Sequence, residues 1–311
     1  MFKIAIPGGS GHLGTVLARH FVAGGHKVVV ISRHATKTMP WRRVGWEEAS
    51  KEIDGSDVVI NLAGRNVNCR YTRDNRREIM MSRVDSTRAV SEAIANAANP
   101  PHVWLQASTA TIYAHTFDGA NDEHTGRIGG NEPDAPRSWD FSIEVARAWE
   151  NAVDEAKTPR TRKVKLRTAI VMAPDHGGPF DMLLRLARYG LGGRQGDGRQ
   201  YVSWIHVRDF VRAIEWLIEH RYTDGVVNVA APNPLPNEEF MRDLREACRA
   251  RIGLPASEWM LTVGALILRT ETELLLKSRR VVPARLFESG FRFDFPQWRD
   301  AARDLCEQRQ R

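Results

Sequence analysis

The chain has 311 residues, 42% hydrophobic and 27% charged, a balance that fits a folded globular protein and excludes a disordered or fibrous one. Its formal charge of +7 comes from 45 Lys and Arg against 38 Asp and Glu spread along the whole length, so a solvated basic surface is expected rather than a nucleic-acid or membrane-binding stripe. Three distant cysteines, Cys69, Cys248 and Cys306, form no C-x-x-C pair and have no histidines at zinc-ligand spacing, which excludes a metal or disulfide framework.

Met1 to Pro7 runs straight into a glycine loop with no room for a signal sequence, so a cytoplasmic location is expected. Lys3 to Pro7 reads as a short buried strand and Gly8 to Gly11 as a tight turn. His12 to Ala23 reads as a helix with Leu13, Val16, Leu17, His20 and Phe21 on one face. Gly24-Gly25 stops that helix, and Lys27 to Ile31 is a continuous apolar run of the kind covered on both faces in a parallel sheet. Asp57 to Asn61, Val103 to Ala107 and Val164 to Ile170 repeat the pattern, and helices are expected at about Arg73 to Ala98 and Ser142 to Lys157. Strands alternating with helices predict an α/β fold, a Rossmann-type doubly wound parallel sheet.

From Gly177 the character changes. Gly177-Gly178-Pro179 and Gly190 to Gly198 read as loops beside a ligand cleft or as plain turns. Helices at about Asn237 to Arg251, Leu261 to Leu268 and Glu271 to Ser278 predict a smaller, mostly helical lobe. The apolar stretch Met260 to Leu268, followed by Arg269, Glu271 and Glu273, is too short and too charged to span a bilayer and reads as a core helix. The division expected is a dinucleotide-binding domain over 1–175, with 202–231 returning to the sheet, and a substrate-side lobe over 176–201 and 232–306, before a frayed end from Glu307 to Arg311.

The strongest motif is Gly8-Gly9-Ser10-Gly11-His12-Leu13-Gly14, a G-x-x-G-x-x-G set between strand and helix. That spacing allows a tight turn, backbone approach to a pyrophosphate and close helix packing, with the helix N-terminus supplying N–H groups to the phosphates. The second strand ends in Ser32-Arg33-His34 with no acid to hold a ribose 2′-hydroxyl, and Arg33 can pair with a 2′-phosphate while Ser32 adds a hydroxyl, so NADP(H) is expected over NAD(H). Asn61-Leu62-Ala63-Gly64 ends the next parallel strand, where Leu62, Ala63 and Gly64 would expose backbone to the coenzyme or simply turn the chain.

These motifs are followed in order by Glu78-Ile79-Met80-Met81-Ser82-Arg83, Trp149-Glu150, Arg167-Thr168-Ala169-Ile170-Val171, Gly190-Leu191-Gly192-Gly193, Ser203-Trp204-Ile205-His206-Val207-Arg208-Asp209, Val229-Ala230-Ala231-Pro232-Asn233-Pro234 and Gly290-Phe291-Arg292-Phe293. Together, over essentially the whole chain, they resemble the epimerase-like atypical extended short-chain dehydrogenases/reductases, often labelled nucleoside-diphosphate-sugar epimerase family proteins, with that family's C-terminal lobe from about Pro255 to Leu305. The resemblance implies NADP(H) as coenzyme and places Glu78 and Arg83 beside it. It also implies a structural role for His206, bracing the C-terminal lobe against the sheet.

Conventional members of that superfamily use a tyrosine acid/base with a lysine four residues later. None of the five tyrosines here is so followed, and the slots counted back from Glu150 hold Ser142 and Ala146. Ser108 and Tyr113 are the remaining candidates for polarising a substrate, with Ser108 expected to serve the coenzyme site as well. The bland alternatives are that Ser108 caps a turn and Tyr113 fills the cleft wall. Hydrolase, P-loop and zinc-peptidase motifs are absent. The expectation is an NADP(H)-dependent oxidoreductase or epimerase-like enzyme acting on a small molecule, a nucleotide sugar or a carbonyl compound, with no nucleic-acid or membrane partner and with self-association left open. The alternative is a non-catalytic NADPH-binding regulator or scaffold.

Overall fold

A computed structural model describes residues 1–33, 39–130, 132, 135–257 and 273–310. Seven strands form one parallel sheet: β1 (Lys3–Pro7), β2 (Lys27–Ile31), β3 (Arg42–Val44), β4 (Val58–Asn61), β5 (Val103–Thr109), β6 (Arg162–Thr168) and β10 (Gly225–Val229). Their order across the sheet is β10-β6-β5-β4-β1-β2-β3. Successive strands run outward from β1 in one direction through β2 and β3, and in the other from β4, so the switch point lies between β1 and β4. In such a sheet the loops at the carboxyl ends diverge there and open a crevice.

Apolar residues on alternating sides of each strand explain the layering. Ile4, Ile6, Val28, Val30, Leu105 and Val164 join Leu17 and Phe21 of α1 (His12–Ala23) and Phe210, Ile214 and Leu217 of α6 (Val207–Glu219) in one core. On the other face Ala5, Val29, Ile31, Val59 and Trp104 meet Ile53 of α2 (Ala49–Ile53), Val90 and Ile94 of α3 (Arg73–Ala95) and Val153 of α4 (Asp140–Asp154). A third core builds the smaller lobe from Phe180 and Leu184 of α5 (Pro179–Arg188), Phe240, Met241 and Leu244 of α7 (Asn237–Ala247), and Trp298 and Leu305 of the helix Trp298–Gln308. The Trp298 ring stacks 4.0 Å from Phe240 and its indole N–H donates to the Phe240 carbonyl at 2.9 Å.

The strands read from apolar runs and the helices α1, α3 and α4 occur in the expected order, whereas α2 and α6 were not singled out in the sequence. β3 is the unexpected strand: Arg-Arg-Val carries no apolar run, and it forms because β2 offers an open edge, pairing Val30 with Arg43. The run from Val164 to Ile170 is divided. β6 stops at Thr168, and β7 (Ile170–Met172) pairs instead with β9 (Trp204–His206), while β8 (Tyr201–Val202) pairs with β11 (Leu235–Pro236). The helix expected over Glu271 to Ser278 is the single turn Glu273–Leu276, and the one expected over Leu261 to Leu268 lies outside the described residues.

Leu105 is fully buried in central strand β5. Leu105→Ala is expected to lower unfolding free energy by about 2–5 kcal/mol, seen as an earlier urea midpoint at unchanged slope.

Candidate functional site

Backbone touches backbone at the carboxyl end of β1. Gly8 has φ +75°, and a Cβ there would lie 2.4 Å from the Ala63 nitrogen at the end of β4. A Cβ on Gly14 would lie 2.4 Å from Gly9 Cα, so the first turn of α1 can rest on the turn only while both residues are glycine. Gly11, the N-cap, has no side chain to cap the helix, and no acidic residue follows in the first turn. The 12-residue helix thus presents uncapped N–H groups and its positive dipole end to the crevice, an arrangement that suits a phosphate.

That crevice encloses about 490 Å³ and is lined by Gly8, Gly11, His12, Leu13, Gly14 and Leu62 on one side and Arg83, Ser108, Thr111, Ser142 and Trp149 on the other. Arg83 enters from α3, with its guanidinium 5.0 Å over the Trp149 ring and Nη1 donating to the Ile79 carbonyl at 3.0 Å. Burial pushes it down to about 10, and no ion pair to a carboxylate accompanies it among the described residues. A cation desolvated in this way beside a cleft favours an anionic ligand. A larger open hollow of about 1310 Å³ lies at the amino ends of the strands. Three of its cations are held internally: Arg162 and Lys163 donate to backbone carbonyls and Lys165 to Asp154.

The remaining expected residues fall unevenly around the crevice. Ser32 is buried at the end of β2, and its Oγ accepts from Arg43 Nη2 at 3.2 Å, while Arg33 is exposed beside it. Arg43 is a second guanidinium at this edge, one that sequence reasoning missed because nine residues of unpatterned chain separate it from Arg33. Ala63 N donates to Asn61 Oδ1 at 3.1 Å, and Asn61 Nδ2 donates to Gln106 Oε1 at 2.9 Å, which holds the β4 turn under Gly8. Gly64 passes close to Arg83, a Cβ there being 3.2 Å from its Cζ. Ser10 is exposed in the turn before α1. Glu78 does not line the crevice; it points outward, 63% exposed, and pairs with Arg65.

Ser108 and Arg167 are register partners on β5 and β6, and Glu150 of α4 reaches both. Ser108 Oγ donates to Glu150 Oε1 at 2.7 Å, and Arg167 donates to both Glu150 oxygens at 2.8 and 2.7 Å. Burial works against the Arg167 charge, but the hydrogen bonds and attraction of Glu150 outweigh it and hold the guanidinium above its ordinary range. Tyr113 does not line the crevice. It is 2% exposed, lies under the Arg167 guanidinium and donates its hydroxyl to Asn228 Oδ1 at 2.9 Å. Burial raises its pKa, with Arg167 opposing. Its observed contacts are those of a brace between β6 and β10.

Ser142, in the slot where a tyrosine was sought, does line the crevice, and its Oγ donates to Glu273 Oε2 at 2.6 Å. Ala146, one turn on, is fully buried. Lys277 lies 3.8 Å from Glu273 Oε1 and donates to the Thr111 carbonyl at 2.9 Å. Neither Glu273 nor Lys277 carried a sequence signal, because Glu273 opens a short helix 131 residues beyond Ser142 and Lys277 follows that helix. His206 is fully buried: Nδ1 accepts from Arg208 N at 3.1 Å as the N-cap of α6, and Nε2 faces Asp304 Oδ2 at 3.1 Å, tying the last helix to the sheet side. Burial lowers its pKa and Asp304 opposes. No metal-binding cluster of His, Cys, Asp or Glu occurs among the described residues.

Sheet order, glycine turn and uncapped helix define a Rossmann-type protein of the short-chain dehydrogenase/reductase kind. Residues 4–230 match the NAD dependent epimerase/dehydratase family, and the chain belongs to it; residues 256–305 match a domain of unknown function, DUF1731. It is 31% identical to the human epimerase family protein SDR39U1 over 97% of this chain and 99% of that one. It is 30% identical to the epimerase family protein YfhF of Bacillus subtilis over 99% of both. The crystal structure of human SDR39U1 (isoform2) with NADPH superposes with TM-score 0.85 at 29% identity, covering 98% of this chain and 99% of that one. No helix among the described residues is long and apolar enough to cross a membrane.

Arg167→Met strands Glu150 without its cation, at an expected cost of about 3–5 kcal/mol in guanidinium unfolding.

Proposed function

We propose that the protein binds NADP(H) in this crevice and acts as an atypical, extended, epimerase-like oxidoreductase lacking the usual Tyr-x-x-x-Lys pair. The observation that carries the reading is the uncapped N-terminus of α1 set against Arg83, a cation whose burial calls for an anion. The pyrophosphate would be held by backbone N–H groups of the Gly8 to Gly14 turn, with Arg83 answering its charge across the crevice. At the β2 edge, Ser32, Arg33 and Arg43 supply a hydroxyl and two guanidiniums where an acid would have repelled a 2′-phosphate. Binding of NADPH by the human relative supports the phosphorylated coenzyme. The coenzyme supplies or accepts a hydride; the chain positions it and handles the proton.

The substrate is a small molecule, a carbonyl compound or a nucleotide sugar, admitted between the sheet edge at Ser108 and the lobe formed by 176–201 and 232–306. A cytoplasmic setting is supported by three cysteines that all remain free. A second reading, an NADPH-binding scaffold without turnover, draws on Ala146 in the place of the lysine.

Calorimetry is the direct test. NADPH should bind at least about tenfold tighter than NADH, a difference of about 1.4 kcal/mol, and Arg43→Ala should remove most of that difference while sparing NADH. Gly14→Ala should weaken both coenzymes, because its Cβ would have to displace the Gly9 backbone. Equal affinity for the two coenzymes would refute the 2′-phosphate assignment. Cofactor absorbance that stays constant with alcohols, carbonyl compounds and sugar nucleotides, despite tight binding, would favour the scaffold.

A further inference from the structure

A hydroxyl has one proton, and where it points decides what the group can offer a ligand. Ser142 spends its proton on Glu273 at 2.6 Å and Ser108 spends its own on Glu150 at 2.7 Å. Both carboxyl groups are buried, Glu273 at 2% and Glu150 at 6% exposure, and both stand beside cations. Glu150 holds Arg167 through two hydrogen bonds, and Glu273 faces Lys277 at 3.8 Å and the buried Arg279. In this geometry each carboxyl oxygen accepts from its serine. Ser108 and Ser142 therefore turn lone pairs toward the crevice, in a lining that also holds Tyr71, Thr109, Thr111 and Thr168. At those two oxygens a ligand O–H finds an acceptor, and a carbonyl oxygen would meet lone pairs with its own.

Resting on the coenzyme reading above, we infer that the substrate side of the crevice takes an alcohol, and that Ser142 backed by Glu273 removes its hydroxyl proton. The substrate O–H bond breaks as its proton passes to Ser142 Oγ while the Ser142 proton passes to Glu273 Oε2. The carbinol C–H bond breaks with its electron pair transferred as hydride to the oxidised nicotinamide coenzyme, and a C=O bond forms. The alcohol is oxidised, the coenzyme is reduced, and the proton rests on Glu273.

Lys277 acts through Glu273 as a positioning residue. It faces Glu273, Arg279, Glu132 and Asp140, and Thr111 accepts its hydrogen bond. Burial pushes its ammonium down to about 8, with Glu273 opposing. As pH rises past that value, the positive charge facing Glu273 is lost.

The test uses the full chain and begins without coenzyme, so that its failure is separable from failure of NADPH to bind in calorimetry. The protein is produced with ¹³Cε-labelled lysine, and the Lys277 signal is assigned by its absence in Lys277→Met. The Lys277 midpoint is expected at about 8 and should fall by about one pH unit or more in Glu273→Gln. A midpoint in the ordinary lysine range, or one unmoved by Glu273→Gln, overturns the inference. Saturation-transfer NMR on coenzyme-loaded protein then compares cyclohexanol with cyclohexanone. The alcohol should bind about tenfold tighter, and Ser142→Ala should erase the preference. Glu273→Gln should also reduce it, because the new amide can donate to Ser142 and turn its proton to the crevice. Thermal unfolding of each variant separates these effects from loss of fold. A ketone bound as well as the alcohol, or an alcohol that does not bind, overturns the inference.

Discussion

Everything in the crevice depends on one close approach, the first turn of α1 resting on the backbone of Gly9 while Gly8 rests on Ala63. No side chain larger than hydrogen fits at either contact, and the result is a helix N-terminus held within reach of the strand ends at the switch point. Helix dipole, uncapped N–H groups and the guanidinium of Arg83 then act on the same volume. Displacing α1 outward by even the width of a methyl group would separate these contributions, since the effect of a helix terminus fades within its first turn.

Across the crevice from the glycine turn, the organising element is a buried carboxylate behind each of two serine hydroxyls. Glu150 is shared by Ser108 and Arg167, and Glu273 by Ser142 and, at longer range, Lys277. Inside a protein such pairs persist because each partner cancels the other's desolvation, and removing either strands a charge. Part of the segment that matches the domain of unknown function thus stands behind the crevice wall. Glu273 brings a carboxylate to Ser142 of α4, and Lys277, just after the helix Glu273–Leu276, brings an ammonium to the Thr111 carbonyl.

Much of this was legible from residues alone, for definite reasons. Apolar runs such as Lys27 to Ile31 can only be strands covered on both faces, and helical spacing in His12 to Ala23 reproduces the observed helix residue for residue. Tyr113 and Glu78 show the opposite. Position suggested a substrate-polarising hydroxyl for Tyr113 and the family resemblance a coenzyme contact for Glu78, but one is buried beneath Arg167 and the other pairs with Arg65. Side-chain direction is set by neighbours from distant parts of the chain, and no local pattern records it.

The amino-acid order by itself determined the alternation of strand and helix, the glycine turn and the lack of an acid after the second strand, because each is a property of adjacent residues. Tertiary structure alone decided that Arg43 reaches Ser32, that Glu150 takes the Ser108 proton, and that Glu273 and Lys277 stand behind Ser142. Those are contacts between segments with no shared periodicity, and hydrogen-bond direction emerges only when donor, acceptor and counter-charge are buried together.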